Sequence, residues 1–418
     1  MATSRTSPRS RARRPPARAA VSPDRMLTVV VMALVAFGLV MVYSTSSVTA
    51  VLDQSDPLGM VTRQGAYAVV GFALYAVFVR MSPEGLKRLG PVLVGASGVL
   101  LLAVLVMGTE VKGSKRWISL GGMGNLQPSE VAKLAIVLWV AQAIARHPRG
   151  VTELRGLMPF GVVTGVIAVL ILVEPDMETA VIVCAIALTM LLVAGMRGTH
   201  LAGVLGGGVF LVIVGIMIEP YRTQRFFSFL DPWSDPTGPG YQAIQAQVAL
   251  GSGGISGVGL GDGVQKAFYL PEAHTDMILA TVGEELGLIG VFAVLAAFVL
   301  FALAGYRIAL KARDLHQQVL AAGITTMVVA QAVVNMGAVL GVMPVAGVPL
   351  PFVSFGGSSL IILLACTGIL VNIGRRTQHH ARRVPVPSSR EGADRGRGDG
   401  RTRDARAGGR RRAAGAGG

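Results

Sequence analysis

The stretch FYLPEAHTDMILATVGEELGLIGVFAVLAAFVLFALAGY, residues 268–306, decides the fold. From 276 onward it is an apolar run, longer than the roughly 20 residues an α-helix needs to cross a bilayer. His274 and Asp276 stand at the mouth of that run, and Glu284 and Glu285 lie inside it. Ionisable groups there are costly in lipid and need protein, water or a partner around them. The stretch therefore predicts a membrane span whose entry carries chemistry.

The rest of the chain agrees. Of 418 residues, 52% are hydrophobic and 15% charged, and the mean hydropathy is +0.59. A soluble protein carries about 25% charge, so this composition excludes a soluble enzyme. Apolar runs fall near 26–48, 64–81, 90–108, 128–146, 157–173, 178–196, 199–219, 276–306, 318–343 and 357–374. They predict an all-α polytopic protein of about ten transmembrane helices, with a large extracellular loop, about 220–275, between the seventh and eighth. Lys87, Arg88, Arg146, Arg149, Arg155, Arg197, Arg307, Lys311 and Arg313 all fall on one side of that topology. The positive-inside rule makes that side cytoplasmic, with both termini on it.

The net charge of +15 belongs to the ends. Residues 1–25 and 375–418 carry all of it, leaving the membrane domain, 26–374, neutral overall. Both tails are rich in Arg, Gly, Ala and Pro and are expected to be disordered and cytoplasmic. They read as juxtamembrane anchors toward anionic lipid, not as nucleic-acid arms. Cys184 and Cys366 each sit in an apolar run without metal-ligand spacing, so neither a disulfide nor a protein metal site is expected.

The outer connections break the charge rule. They carry Lys112, Lys115, Arg116, Arg222, Arg225 and Lys266. One reading is ordinary tolerance of the rule; the other is an anionic ligand at the outer face, most simply a phosphate, which the Arg fork grips with two bonds. Trp117 adds an interfacial aromatic beside Lys115 and Arg116. Glu130 and Lys133 are three apart on one helix face, as a local ion bridge or as ligand contacts. In EPDMET, 174–179, Pro175 ends one helix, while Asp176 or Thr179 caps the next. The glycines of GSGGISGVGLGDG, 251–263, lack the strand and the Gly-Lys-Ser/Thr of a nucleotide loop and are expected to let backbone approach a headgroup or the bilayer. Gln331 and Asn335, followed by the Pro/Gly segment 344–356, read as cavity lining. Asp276 is either a helix cap or a carboxylate at the membrane–water boundary that takes a proton from a sugar hydroxyl. At least one of Glu284 and Glu285 is expected to face protein or water, with Lys133 or an Arg as partner.

KRWI (115–118), LQPSEVAKL (126–134), FLDPWSDP (229–236), GLGDGVQKAFYLPEAHTD (259–276), GEELGLIG (283–290) and PVAGVPLPFVSFGGSSL (344–360) resemble the SEDS family (shape, elongation, division and sporulation). The resemblance spans about 26–374 and leans toward the division branch. It implies a peptidoglycan glycosyltransferase that polymerises lipid II at the outer face of the plasma membrane, at the septum, and releases undecaprenyl pyrophosphate. It places the essential acid on Asp276 and substrate contacts on Arg116, Trp117, Glu130 and Lys133. Lys115, Arg222, Arg225, Lys266 and His274 join them as candidates from the outer-face charge. It implies a class B penicillin-binding protein and other divisome proteins as partners. A divalent cation, Mg or Mn, would be shared with the substrate pyrophosphate. Glu178 stands where the family usually has glycine. The competing functions are a lipid II flippase, an elongation-type polymerase and a non-catalytic division scaffold.

Overall fold

The computed structural model describes residues 22–383 except 53, 55, 112–113, 122–123 and 219. Lys112 and most of both tails therefore lie outside the described residues. The helices are α1 (Pro23–Leu52), α2 (Gly59–Arg80), α3 (Pro83–Met107), α4 (Pro128–Arg146), α5 (Leu154–Val173), α6 (Met177–Val193) and α7 (Gly198–Ile218). Next come α8 (Pro220–Leu230), α9 (Tyr241–Gly253), α10 (Gln265–Phe268), α11 (Ile278–Leu310), α12 (Leu315–Val339) and α13 (Gly357–Arg383). The fold class is all-α, as expected. Among the described residues eight helices are long and apolar enough to cross a membrane: α1, α3, α4, α5, α7, α11, α12 and α13. α6 and α2 hold the other two expected positions. α6 is apolar but only 17 residues long; α2 carries Arg63 and Gln64 in its second turn and ends on Arg80.

Side-chain caps set several boundaries. Ser82 accepts from the N–H of Gly85 at the start of α3, Asp176 from that of Thr179 at the start of α6, and Asp314 from that of Gln317 at the start of α12. Each satisfies a donor that the helix leaves without an internal partner. α4, α12 and α13 form the middle of the bundle, with 78%, 78% and 83% of their apolar windows buried. None of the corresponding α7 window is buried. The exposed residues of α3 and α5 are largely Val, Leu and Met, the face expected toward lipid.

The segment 109–126, one of the outer connections between apolar runs, forms a small antiparallel sheet in the order β1 (Thr109–Val111), β2 (Ser114–Ser119), β3 (Asn125–Leu126). Gly121 and Gly124, at φ 65° and 94°, close the β2–β3 hairpin. β2 holds Arg116 and Trp117.

α11 is not one straight rod. Gly287 has φ 64° and ψ −162°, which breaks the helical ladder. The loop after α9 repairs it. The N–H groups of Val258 and Gly259 donate to the carbonyls of Glu284 and Glu285. Those of Leu288 and Ile289 donate to the carbonyls of Gly254 and Ile255. A side chain at Gly257 would strike the Glu285 carbonyl, and φ of 81° there already favours glycine. The glycine-rich stretch is thus a wedge against α11. It was expected to approach a headgroup; it approaches a helix backbone, because opened carbonyls need donors at contact distance.

Candidate active site

The site is assembled at the outer end of the bundle, where β2, the α5–α6 turn, α8, the entry of α11 and the segment 344–356 meet. Arg116 Nε donates to the Glu174 carbonyl at 2.9 Å, and its Nη2 to the Pro175 carbonyl. These bonds fix the guanidinium over the α5–α6 turn. A methyl group built on Gly347 would lie 3.7 Å from Arg116 Nη1 and 3.8 Å from Asp276 Oδ2. Guanidinium and carboxylate, 160 positions apart in the chain, therefore converge on one glycine. Both residues are half-buried.

Arg225 joins them from α8. Its Nη1 donates to the Val345 carbonyl at 3.2 Å and lies 3.5 Å from Glu178. The glutamate standing where the family usually has glycine is thus paired with an arginine at this site. Arg222, three residues earlier, bridges the carbonyls of Gly215 and Leu172 at 3.2 and 3.1 Å and ties α8 to α7 and α5. His274 packs edge-on against Phe355, ring centroids 6.0 Å apart, and its carbonyl accepts from the Phe355 N–H. Lys115 is exposed in β2, where it pairs in register with Glu110. Trp117 is half-buried next to Arg116, and its carbonyl accepts from Thr109.

Beneath the site runs a buried polar chain. Lys133 Nζ donates to Glu130 at 2.8 Å and to Gln331 Oε1 at 2.6 Å. The Gln331 amide donates on to the Pro349 carbonyl at 2.9 Å. One turn along α12, Asn335 donates to the carbonyls of Asp276 and Val348 at 2.7 and 2.8 Å. Gln64 of α2 donates to the Ser354 carbonyl at 3.0 Å. These amides satisfy the non-helical backbone of 344–356, which could not otherwise be held inside an apolar bundle. Glu130 and Lys133 are buried, 2% and 0% exposed at the side chain, and this chain links them to the backbone of Asp276.

Lys266 lies elsewhere. Its ammonium is buried against Ser44 and the Gly261 carbonyl, both at 2.8 Å, and forms an ion pair with Glu285. Glu285 was expected to pair with Lys133 or an Arg. The wedge brings Lys266 to it instead, from 19 positions upstream. Glu284 accepts from the N–H groups of Val264 and Gln265 at 2.7 and 3.0 Å.

Two site residues were missed in the sequence. Gln64 was visible only as a polar residue at the head of an apolar run. Glu174 is buried, and neither carboxylate oxygen has a hydrogen-bond partner among the described residues. Burial, and next the charge of Asp176, push its carboxyl up to about 8; Arg116 pulls the other way more weakly. Its signal was an ionisable residue closing a 17-residue apolar run, directly before Pro175.

The profile of the FtsW/RodA/SpoVE cell cycle proteins matches residues 24–379. The chain belongs to that family. It is 41% identical over 356 residues to the probable peptidoglycan glycosyltransferase FtsW of Geobacter metallireducens, an alignment covering 84% of this chain and 95% of that protein. The protein of the same name from Escherichia coli O6:H1 is 38% identical over 372 residues, 88% of this chain and 89% of the relative. Among solved structures, one of a peptidoglycan synthase complex that coordinates polymerization and crosslinking superimposes with a TM-score of 0.72. Its identity is 31%, over 84% of this chain and 97% of the other. The rod shape determining protein RodA of Thermus thermophilus matches with a TM-score of 0.62 and 29% identity, over 84% and 96% of the two chains. This FtsW/RodA/SpoVE member is therefore a multi-pass membrane protein with Asp276 at the entry of α11.

Proposed function

We infer that this chain is a peptidoglycan glycosyltransferase of the FtsW type, polymerising lipid II into glycan strands. The observation that carries the reading is the convergence of Arg116 and Asp276 on Gly347 within a chain of this family. The division assignment follows the FtsW relatives.

The chemistry follows from the two groups. Asp276 takes the proton of the acceptor sugar hydroxyl. The oxygen then forms a bond to the anomeric carbon of the donor as that carbon's bond to pyrophosphate breaks. Undecaprenyl pyrophosphate leaves with the electron pair. Arg116 and Arg225 stabilise the negative charge that grows on it, the fixed-cation form of transition-state stabilisation. One base with one displacement inverts the anomeric centre, giving the β-1,4 bond. Trp117, Lys115 and His274 flank this centre as substrate contacts. Asn335, Gln331, Lys133 and Glu130 position it through 344–356. Arg222 and Lys266 hold the elements that carry it.

Among the described residues no three His, Cys, Asp or Glu side chains gather to hold a metal. No step here is routed through a cation. A Mg or Mn ion belongs to this reading only as a counter-ion shared with substrate pyrophosphate.

The enzyme works at the outer face of the plasma membrane at the septum, with both termini cytoplasmic. A class B penicillin-binding protein supplies crosslinking, alongside other divisome proteins. The charge pattern and the synthase-complex neighbour support these assignments.

The test is polymerisation of labelled lipid II by the purified chain with its cognate class B penicillin-binding protein, read as glycan length on a gel. Asp276→Asn is expected to reduce polymer by about 10²-fold or more, the low end for loss of a general base, while the complex still forms. Full polymer from Asp276→Asn would remove the base role. No polymer from wild type, with lipid II crossing vesicle membranes, would establish the flippase instead.

A further inference from the structure

At the end of the bundle opposite Arg116 and Asp276, a cavity of about 300 Å³ opens between α3 and α4. It is lined by Glu84, Lys87 and Arg88 of α3 and by Gln142, Ala145 and Arg146 of α4. Its roof is set by Gly90. A methyl group there would lie 3.0 Å from the backbone of Leu138 and Trp139, so the two helices touch backbone to backbone. Past that point they part, and the cavity fills the gap.

The cations in it differ from those of the outer centre and its supports. Arg116, Arg222, Arg225, Lys133 and Lys266 all make hydrogen bonds or ion pairs. Lys87, Arg88 and Arg146 have neither a hydrogen bond nor an ion pair among the described residues. Three cations and one carboxylate, Glu84, leave the cavity positive. One turn above Arg88 the lipid face of α3 begins, with Val92, Val99 and Val106 exposed at seven-residue spacing. A positive cavity under an exposed apolar helix face fits an amphipathic anion. A soluble anion would use the cavity and leave the apolar track idle. The distribution of Lys and Arg puts this end at the inner leaflet.

We propose that the α3–α4 cavity holds the phosphate headgroup of an anionic phospholipid of the inner leaflet, with its acyl chains along α3. The site is separate from the outer centre and from the lipid II reading of it. Its size is that of a small ligand pocket. Arg88 and Arg146 grip the phosphate from the two helices, and Lys87 and Gln142 line the space between.

The test is native mass spectrometry of the full chain in detergent, titrated with phosphatidylglycerol. In Arg88→Gln/Arg146→Gln, retained lipid is expected to fall on the order of tenfold or more, the loss of two headgroup-level cations. Ala145→Leu, which fills the cavity and keeps every charge, is expected to lower it as well. Arg410→Gln/Arg411→Gln, which removes as much charge from the C-terminal tail, is expected to leave it unchanged. Phosphatidylcholine is expected to be held far more weakly, and millimolar inorganic phosphate not to displace the lipid. Equal retention by wild type and both cavity variants overturns the site. So does equal retention of the two lipids, and displacement by phosphate assigns the cavity to a soluble anion.

Discussion

Lys266 and Arg116 look alike in the sequence: each is a cation of an outer segment, and each meets a carboxylate at or near the start of α11. The structure treats them oppositely. All three ammonium donors of Lys266 are occupied, by Ser44, the Gly261 carbonyl and Glu285, and the ion pair is sealed from solvent. Two of the five N–H donors of Arg116 are tied to carbonyls of the α5–α6 turn. Its Nη1 is left near Asp276 across a glycine that takes up no room. The first arrangement holds helices together; the second sets a cation beside a carboxylate at a position where glycine adds no side chain. Saturation of the donors, more than charge, separates the brace from the site.

Removing one partner of the brace has the largest expected effect. Lys266→Met leaves Glu285 buried without its cation and is expected to cost about 3–5 kcal/mol. Lys266→Met/Glu285→Leu is expected to regain most of that, because a well-packed apolar pair can replace a buried ion pair. Thermal unfolding in detergent reads both. An unchanged unfolding temperature in Lys266→Met, together with lost polymerisation, would break the comparison by moving Lys266 into the site.

Next comes the space at Gly347. Gly347→Ala is expected to change polymerisation little, since its methyl meets Arg116 and Asp276 at ordinary contact distance. Gly347→Val crowds both groups and is expected to lower polymerisation about 10²-fold, the scale set by displacing reacting groups by an ångström. The unfolding temperature should stay within a few degrees. A valine variant as active as wild type would show that substrate does not enter between Arg116 and Asp276.

The smallest effect sharpens the electrostatics of the turn that Arg116 grips. The Glu174 carboxyl is raised from 4.5 to about 8 by burial and then by Asp176. Between those values the folded protein binds a proton that the unfolded chain has lost. This group's contribution to stability is therefore present at low pH and lost as pH rises toward 8, by roughly 1–3 kcal/mol. Glu174→Gln is expected to flatten that decline in unfolding temperature between pH 5 and 8. An identical slope in the variant would mean that Glu174 is ionised throughout.

Much of this was legible from residue type and spacing. Apolar runs gave the helices, because hydrophobic length is a local quantity. Asp176 capping α6 was legible from Pro175 and the turn before it. Asp276 stood out as an acid at the entry of a span. The brace was not legible. Glu285 was matched to Lys133 or an Arg on charge alone, yet the wedge at Gly287 presents Lys266. The small sheet was missed because strands of three, six and two residues are too short for a period of two to register. Glu174 was read past, since nothing in EPDMET tells a buried carboxyl from an exposed one.

The sequence by itself determined an all-α membrane protein, the side that carries the basic residues, and a short roster of ionisable groups where ionisable groups are costly. Only the tertiary structure decided which of those groups are sealed into braces and which gather at the candidate site. The physical reason is that burial and hydrogen-bond saturation are set by neighbours from remote parts of the chain. Glu285 is satisfied by residues 19 and 241 positions away. Asp276 meets Arg116 across a glycine of the 344–356 segment, and no local spacing encodes that meeting.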